Sequence, residues 1–234
     1  MSQYVRQPCY PASGTRPIDH GWESAAATVA PAVRRIAVDG PAMPHWQAVI
    51  DDLSAALRRR TGRSVSTVDT ATVCRPWPDI LRLTDTEELA NDPDFAKLAE
   101  GTIADLLDPR RLQTLPDAPA GDAIQIVFGP GAALAAADLV WWVDRPKRFA
   151  EQEVTNGRGV NLFQPAGEQA GTRRLFYIDW PLLDRHRDAI GDRIDLWLDL
   201  RDLERPTWID GDSLRESCAA LTSRPFRTLP TFNS

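Results

Sequence analysis

Residues 35–47 carry the segment with the most chemical content. The run Arg35-Ile36-Ala37-Val38-Asp39 reads as a buried strand, and Gly40-Pro41 as a tight turn after it. A helical pattern starts within a few residues. This is the strand–loop–helix setting of a phosphate-binding loop, G-x-x-x-x-G-K-[ST]. Laid over that template, Gly40 takes the first glycine, while His45, Trp46 and Gln47 stand where Gly, Lys and Ser/Thr belong. Such loops work by aiming consecutive backbone N–H groups at an anion beside a helix N-terminus. Pro41 and Pro44 each remove one such donor, and Trp46 replaces a mobile cation with a large apolar ring. Two readings follow: a plain strand-to-helix turn, or a weakened anion site.

Other chemistry-bearing residues fall at the predicted strand ends and just beyond them. Asp69 closes the second strand, as an acceptor-orienting base or as a turn residue. Arg145, Lys147 and Arg148 follow a strand, and Arg158 precedes a loop. An arginine fork can donate two bonds to one phosphate, although a charge run also makes an ordinary solvated face. Asp179 is placed at another strand end. His186 lies within Asp184-Arg185-His186-Arg187-Asp188, as a general base or a surface residue, with Arg185 beside it. Trp180, Trp197 and Trp208 could line a sugar-binding surface, or simply pack in the core. His20, His45 and His186 are too dispersed for a zinc site, and no metal site is expected.

Composition narrows the classes. The chain has 234 residues, 43% hydrophobic and 26% charged, with a net charge of −6, which argues against a general nucleic-acid surface. Lys97 and Lys147 are the only lysines among 27 basic residues, and neither follows a glycine turn. No apolar run approaches membrane-spanning length. Cys9, Cys74 and Cys218 are dispersed and odd in number, which predicts a reducing, cytoplasmic location.

The elements that must position these residues alternate. Strands are expected at 35–39, 65–68, 124–128, 139–143, 175–178 and 194–200. Helices are expected at 21–28, 46–60 with Gly62 as its stop, 146–154, 181–190 and 210–221. Leu98, Ile103, Leu106 and Leu107 suggest one more amphipathic helix. Residues 156–171 read as loop. Apolar strands separated by helices predict a three-layer α/β domain with a mostly parallel sheet, whose ligands bind at the carboxyl ends of the strands. The domain is expected over 34–223, after an irregular arm at 1–33 and before an extended tail at 224–234.

Two resemblances sharpen this. The strand–loop–helix frame resembles the nucleoside and nucleotide kinase branch of P-loop proteins, with a degenerate phosphate loop. Ile124–Gly131 resembles the third core strand of uridine-kinase-like proteins, where an acidic residue usually stands at the place of Phe128. In that branch the Arg145–Arg158 region would carry arginines that clamp phosphates. The segments Arg174-Leu175-Phe176-Tyr177-Ile178-Asp179-Trp180 and Asp192-Arg193-Ile194-Asp195-Leu196-Trp197 are similar to the N-terminal, kinase-like domain of long bacterial class I mannose-6-phosphate isomerases. So is the tail from Ser223 to Phe232. There the metal-dependent cupin follows such a tail, so the isomerase residues would lie beyond Ser234.

The resemblance implies a non-catalytic or weakly active kinase-like domain. It would bind a small phosphorylated ligand at Gly40, His45, Gln47, Arg145, Lys147, Arg148, Arg158, Asp179, Arg185 and His186, or an isomerase cupin domain or subunit. The alternatives are an active phosphotransferase, with Asp69 or Asp39 as base and ATP–Mg as cofactor, and a structural docking subunit.

Overall fold

A computed structural model describes residues 12–13, 18–92, 94–116 and 121–223. Cys9, Pro93, Pro119 and the tail at 224–234 lie outside the described residues.

Seven strands form one sheet: β1 (Asp19–His20), β2 (Arg35–Asp39), β3 (Ser64–Asp69), β4 (Ala123–Phe128), β5 (Leu139–Asp144), β6 (Leu196–Asp199) and β7 (Thr207–Asp210). Their order is β1-β7-β6-β5-β2-β4-β3. Strands β2 to β6 run parallel, and β7 and β1 add an antiparallel edge. The mostly parallel α/β sheet predicted from the apolar runs is therefore present. β2 sits between β4 and β5. The chain leaves β2 toward one edge and leaves β5 toward the other, so the connections reverse at the carboxyl ends of these two strands. Ligand crevices of open α/β sheets form at such a point.

Side chains alternate across the sheet. Ile36, Val38, Trp141 and Val143 face α1 (Trp22–Ala26) and α2 (Trp46–Thr61), while Ala37, Val140 and Trp142 face the opposite layer with Ile190 and Ile194. The Trp141-Trp142 pair thus puts one buried ring on each face. Helix α2 buries Val49, Ile50, Leu53 and Leu57 at helical spacing. Each such side chain contributes roughly 1.5–3 kcal/mol of burial. Gly62 ends α2 in the left-handed conformation, φ 70°, and its N–H returns to the Arg58 carbonyl. Trp22, Ala25, Ala26, Val29 and Val33, from the segment expected to be an irregular arm, join the same core cluster.

Beyond the strand ends lies a smaller apolar cluster of Ile80, Ile103, Leu106, Leu162, Ile178, Leu182 and Leu183. It is built by α3 (Trp77–Thr84), a 3-10 turn at Ile103–Leu106 and the long helix that follows residue 171. Two expectations are corrected here. The amphipathic helix predicted through Leu98 and Leu107 is only that 3-10 turn. Gly101, at φ 87°, breaks the chain ahead of it, and Leu98 is exposed.

The strand predicted at 175–178 is helical, and Asp179 is therefore not at a strand end. Labelling the further helices α4 (Glu87–Asn91), α5 (Pro109–Gln113) and α6 (Lys147–Thr155), α7 (Thr172–Arg174) passes through a π segment, Leu175–Asp179, into α8 (Trp180–Ile190). Leu175, Ile178 and Leu182 are buried while Phe176 is exposed, a spacing of three and four rather than two. Pro181 has no N–H to give the Tyr177 carbonyl four residues back. That carbonyl accepts from Ala99 N–H instead, at 2.7 Å, so the helix runs on through the proline. The last helix, α9 (Gly211–Thr222), starts after Asp210, whose side chain accepts from Ser213 N–H at 2.9 Å.

Candidate functional site

Four of the five parallel strands end in aspartate: Asp39, Asp69, Asp144 and Asp199. The fifth ends in Phe128. Asp39 is fully buried. Its Oδ1 accepts from Gly40 N–H at 2.7 Å and Gly131 N–H at 3.0 Å. Its Oδ2 accepts from Ala133 N–H at 2.8 Å and pairs with His186 Nε2 at 2.7 Å. A carboxylate has about four acceptor positions, and all four are engaged. Asp39 thereby ties the Gly129-Pro130-Gly131 turn and helix α8 to the end of β2. His186 is buried beside the Trp142 ring, whose centroid is 6.3 Å away. The carboxylate partner places the imidazole proton on Nε2.

The turn after β2 is shaped by contact rather than by an anion. A Cβ on Gly40 would fall 2.7 Å from the Val143 carbonyl oxygen, so glycine is needed for β2 and β5 to approach there. Trp46 folds back over the turn. Its Nε1–H donates to the Pro41 carbonyl at 3.0 Å, and its ring lies 6.0 Å from the Phe128 ring, centroid to centroid. The two residues that replace a lysine and an acid in the phosphate-loop pattern therefore pack against each other. Gln47 is exposed and bonds Asp51 on its own helix, at 2.8 Å.

A cationic cluster stands beside this turn. Glu153 of α6 holds Arg145 Nη2 at 2.7 Å and His45 Nε2 at 2.9 Å, joining the start of α2 to the residue after β5. The Arg145 side chain is 13% exposed. Its Nε and Nη1 are buried with no hydrogen-bond acceptor in the protein. Buried guanidinium donors without partners are costly. Arg148 shares the Phe149 ring with it, the two guanidinium carbons lying 5.2 and 5.3 Å from the ring centroid.

The remaining candidates disperse. Lys147 pairs with Asp184 at 2.6 Å over the Trp180 ring. Arg158 is exposed, its backbone N–H bound to the Glu153 carbonyl. Arg185 is spent on the carbonyls of Ala99 and Gly101. Trp208 is buried in the core on the α1–α2 side of the sheet, Trp197 packs on the opposite face beside Trp142, and Trp180 meets Phe176 edge-on.

Asp69 is half-buried at the carboxyl end of β3, the outermost strand on that side of the sheet. It accepts from Ala71 N–H at 2.8 Å, and burial pushes its carboxyl above the usual range. Its neighbour Thr70 is fully buried with an unpartnered hydroxyl, against which Gly129 packs so closely that a Cβ there would meet Oγ1 at 2.6 Å. Asp179, at the end of the π segment, is fully buried, and desolvation raises its carboxyl to about 6.

Sequence reasoning did not find Glu153, which organises the cationic cluster, or Asn161, which binds Asp179. Both lie in stretches with no motif. Among the described residues no group of three or more His, Cys, Asp or Glu side chains is arranged to hold a metal ion. No described helix is long and apolar enough to cross a membrane.

A family profile described as "Domain of unknown function (DUF8485)" matches residues 21–223. No curated protein matches the chain. Among solved structures, D-glycerate 3-kinase from Cryptococcus neoformans var. grubii serotype A is similar with a TM-score of 0.39 and 10% identity, covering 76% of this chain and 92% of its own.

Proposed function

This chain belongs to the family described as Domain of unknown function (DUF8485), and we propose that it is a kinase-like α/β domain that binds a small phosphorylated ligand without transferring a phosphoryl group from ATP. One observation carries the reading. The indole of Trp46 lies across the turn that would cradle a triphosphate, packed on Phe128 and bonded to Pro41. Phosphoryl transfer depends on positioned backbone donors, a cation and a metal-holding carboxylate at this place. Here two of the donors are prolines and the other two parts are aromatic rings. On this reading the anion would be met by Arg145, whose Nε and Nη1 face no protein acceptor and whose neighbour Arg148 adds positive charge.

Isothermal titration with ATP–Mg should show no binding tighter than about 1 mM. A thermal-shift screen of sugar phosphates and nucleotides should find a stabilising ligand, because a ligand of the native state raises apparent stability by mass action. Arg145→Ala should abolish that shift while leaving the apo protein folded. Tight ATP binding, or a shift that survives Arg145→Ala, would overturn the assignment.

A second reading is supported by Asp69. Its raised carboxyl, at the rim of the strand ends, suits a general base for an acceptor hydroxyl. On this reading the chain is a phosphotransferase with atypical phosphate handling. A coupled ADP-release assay over hexoses and nucleosides tests it, and turnover no greater than that of Asp69→Ala would remove it. Association with a mannose-6-phosphate isomerase remains a proposal resting on the C-terminal resemblance. Light scattering of the two proteins, alone and mixed, tests it.

A further inference from the structure

The loop between α6 and α7 is fastened at one point. Asn161 Oδ1 accepts from Gly171 N–H at 2.8 Å, and Asn161 Nδ2 reaches the Gly171 carbonyl at 3.3 Å, so one side chain closes the two ends of the loop on each other. The same Nδ2 donates to Asp179 Oδ2 at 2.7 Å, and Leu162 N–H donates to that oxygen at 3.2 Å. Leu162 is fully buried against Ile178 and Leu182 in the apolar cluster beyond the strand ends. Phe163, next in the chain, is held at φ 53°. A side chain with a Cβ occupies that region only where its surroundings impose it. The helix facing the loop is in its π turn here, a feature that accompanies functional sites more often than plain helix does.

The fastening has a built-in weakness. Asp179 is fully buried, and its Oδ1 has no hydrogen-bond partner. A neutral carboxyl can sit there with Oδ2 as the acceptor of both N–H groups. An ionised one puts a full charge into a fully buried site, at a desolvation cost larger than that of the unpartnered hydroxyl of the neutral form. We propose that residues 161–171 form a strap over helix α8, latched by neutral Asp179 and loosened when that carboxyl gives its proton to solvent. The strap connects helix α6 to the helix that carries His186. The inference does not depend on what, if anything, binds at Arg145.

The groups around Asp179 fix the direction. Arg174, one turn earlier on the same helix, favours the ionised form, but its guanidinium is turned toward Asp85 and Thr84 of α3 and stacked on Trp77. From the loop come the uncharged N–H groups of Asn161 and Leu162, whose hydrogen bonds also favour the ionised form, and from α3, the 3-10 turn and α8 the apolar side chains of Ile80, Ile103, Ile178 and Leu182. Burial outweighs all of these and lifts the carboxyl from the ordinary Asp value of 3.8 to about 6. A group raised in the latched state stabilises that state fully below the value it has when released. The contribution is lost as pH rises toward the latched value. The window therefore runs from about pH 4 to pH 6.5, with a loosened plateau above it.

Hydrogen exchange of the intact protein tests this, with each amide's rate normalised to its intrinsic value at that pH. In the wild-type protein the protection of the Leu162 and Gly171 amides should fall by about 100-fold between pH 4 and pH 6.5, a factor of ten per unit of raised carboxyl, and then level off. Amides of β4 should not follow. At pH 7 Asp179→Asn, which keeps an oxygen acceptor and cannot ionise, should protect both amides about 100-fold better than wild type. The two proteins should agree within about threefold near pH 4, where both carry a neutral group. Protection that is flat with pH, or that falls on acidification, overturns the proposal. So does an Asp179→Asn protein no better protected at pH 7. The wild-type series decides alone if the variant does not fold.

Discussion

Asp39 offers the sharpest test of how the carboxyl ends of the central strands are held together, because its neighbours allow the cost of changing it to be worked out group by group. Removing the carboxylate in Asp39→Ala leaves the N–H groups of Gly40, Gly131 and Ala133 without an acceptor in a buried site, and strands the His186 imidazole. Each orphaned buried donor costs about 1–3 kcal/mol, so the four sum to about 4–12 kcal/mol, comparable to the 5–15 kcal/mol that holds a typical domain together. Asp39→Asn is gentler for a specific reason. The amide oxygen can still accept from Gly40 and Gly131. The amide NH2 can donate to His186 Nε2 once the imidazole shifts its proton to Nδ1. Only Ala133 N–H then faces a donor, at a cost of about 2–3 kcal/mol. For a domain of this size that lowers Tm by about 5–10 °C.

Urea unfolding and thermal melts of the two variants against wild type measure both steps. The expected ranking is a partly or wholly unfolded Asp39→Ala and a folded but weakened Asp39→Asn. An Asp39→Asn protein within about 0.5 kcal/mol of wild type would refute the hub role. So would an Asp39→Ala protein no worse than the amide variant. A freely available catalytic base behaves in the opposite way, since replacing it commonly leaves stability alone.

Two further perturbations probe the turn itself. Gly40→Ala places a methyl 2.7 Å from the Val143 carbonyl and should cost about 1–3 kcal/mol by forcing β2 and β5 apart; denaturant midpoints check it, and an unchanged midpoint would show that the strands are not in contact there. Trp46→Lys restores the lysine of the phosphate-loop pattern, yet titration should still show no ATP–Mg affinity tighter than about 1 mM, because Pro41 and Pro44 still withhold their N–H groups.

What the sequence disclosed and what it withheld divide along the range of the interactions. Strands β2, β4 and β5 are legible because a parallel strand covered on both faces is a continuous apolar run, and α2 because Val49, Leu53 and Leu57 recur on one face. The helix at 175–178 was not legible. Its apolar run alternates no worse than a strand's, and Pro181 argues for a break. What keeps the helix intact is the N–H of Ala99 on the Tyr177 carbonyl, 78 residues away in the chain. The site shows the same division more strongly. Asp39 and His186 each stand out as single residues, one for its strand end and the other for its rarity, but nothing local links partners 147 positions apart. Glu153 draws His45 across 108 positions and has no motif at all. Local pattern can therefore report where this turn differs from the phosphate-loop template. It cannot report that Trp46 and Phe128, the residues at two of those places, pack on each other over the turn.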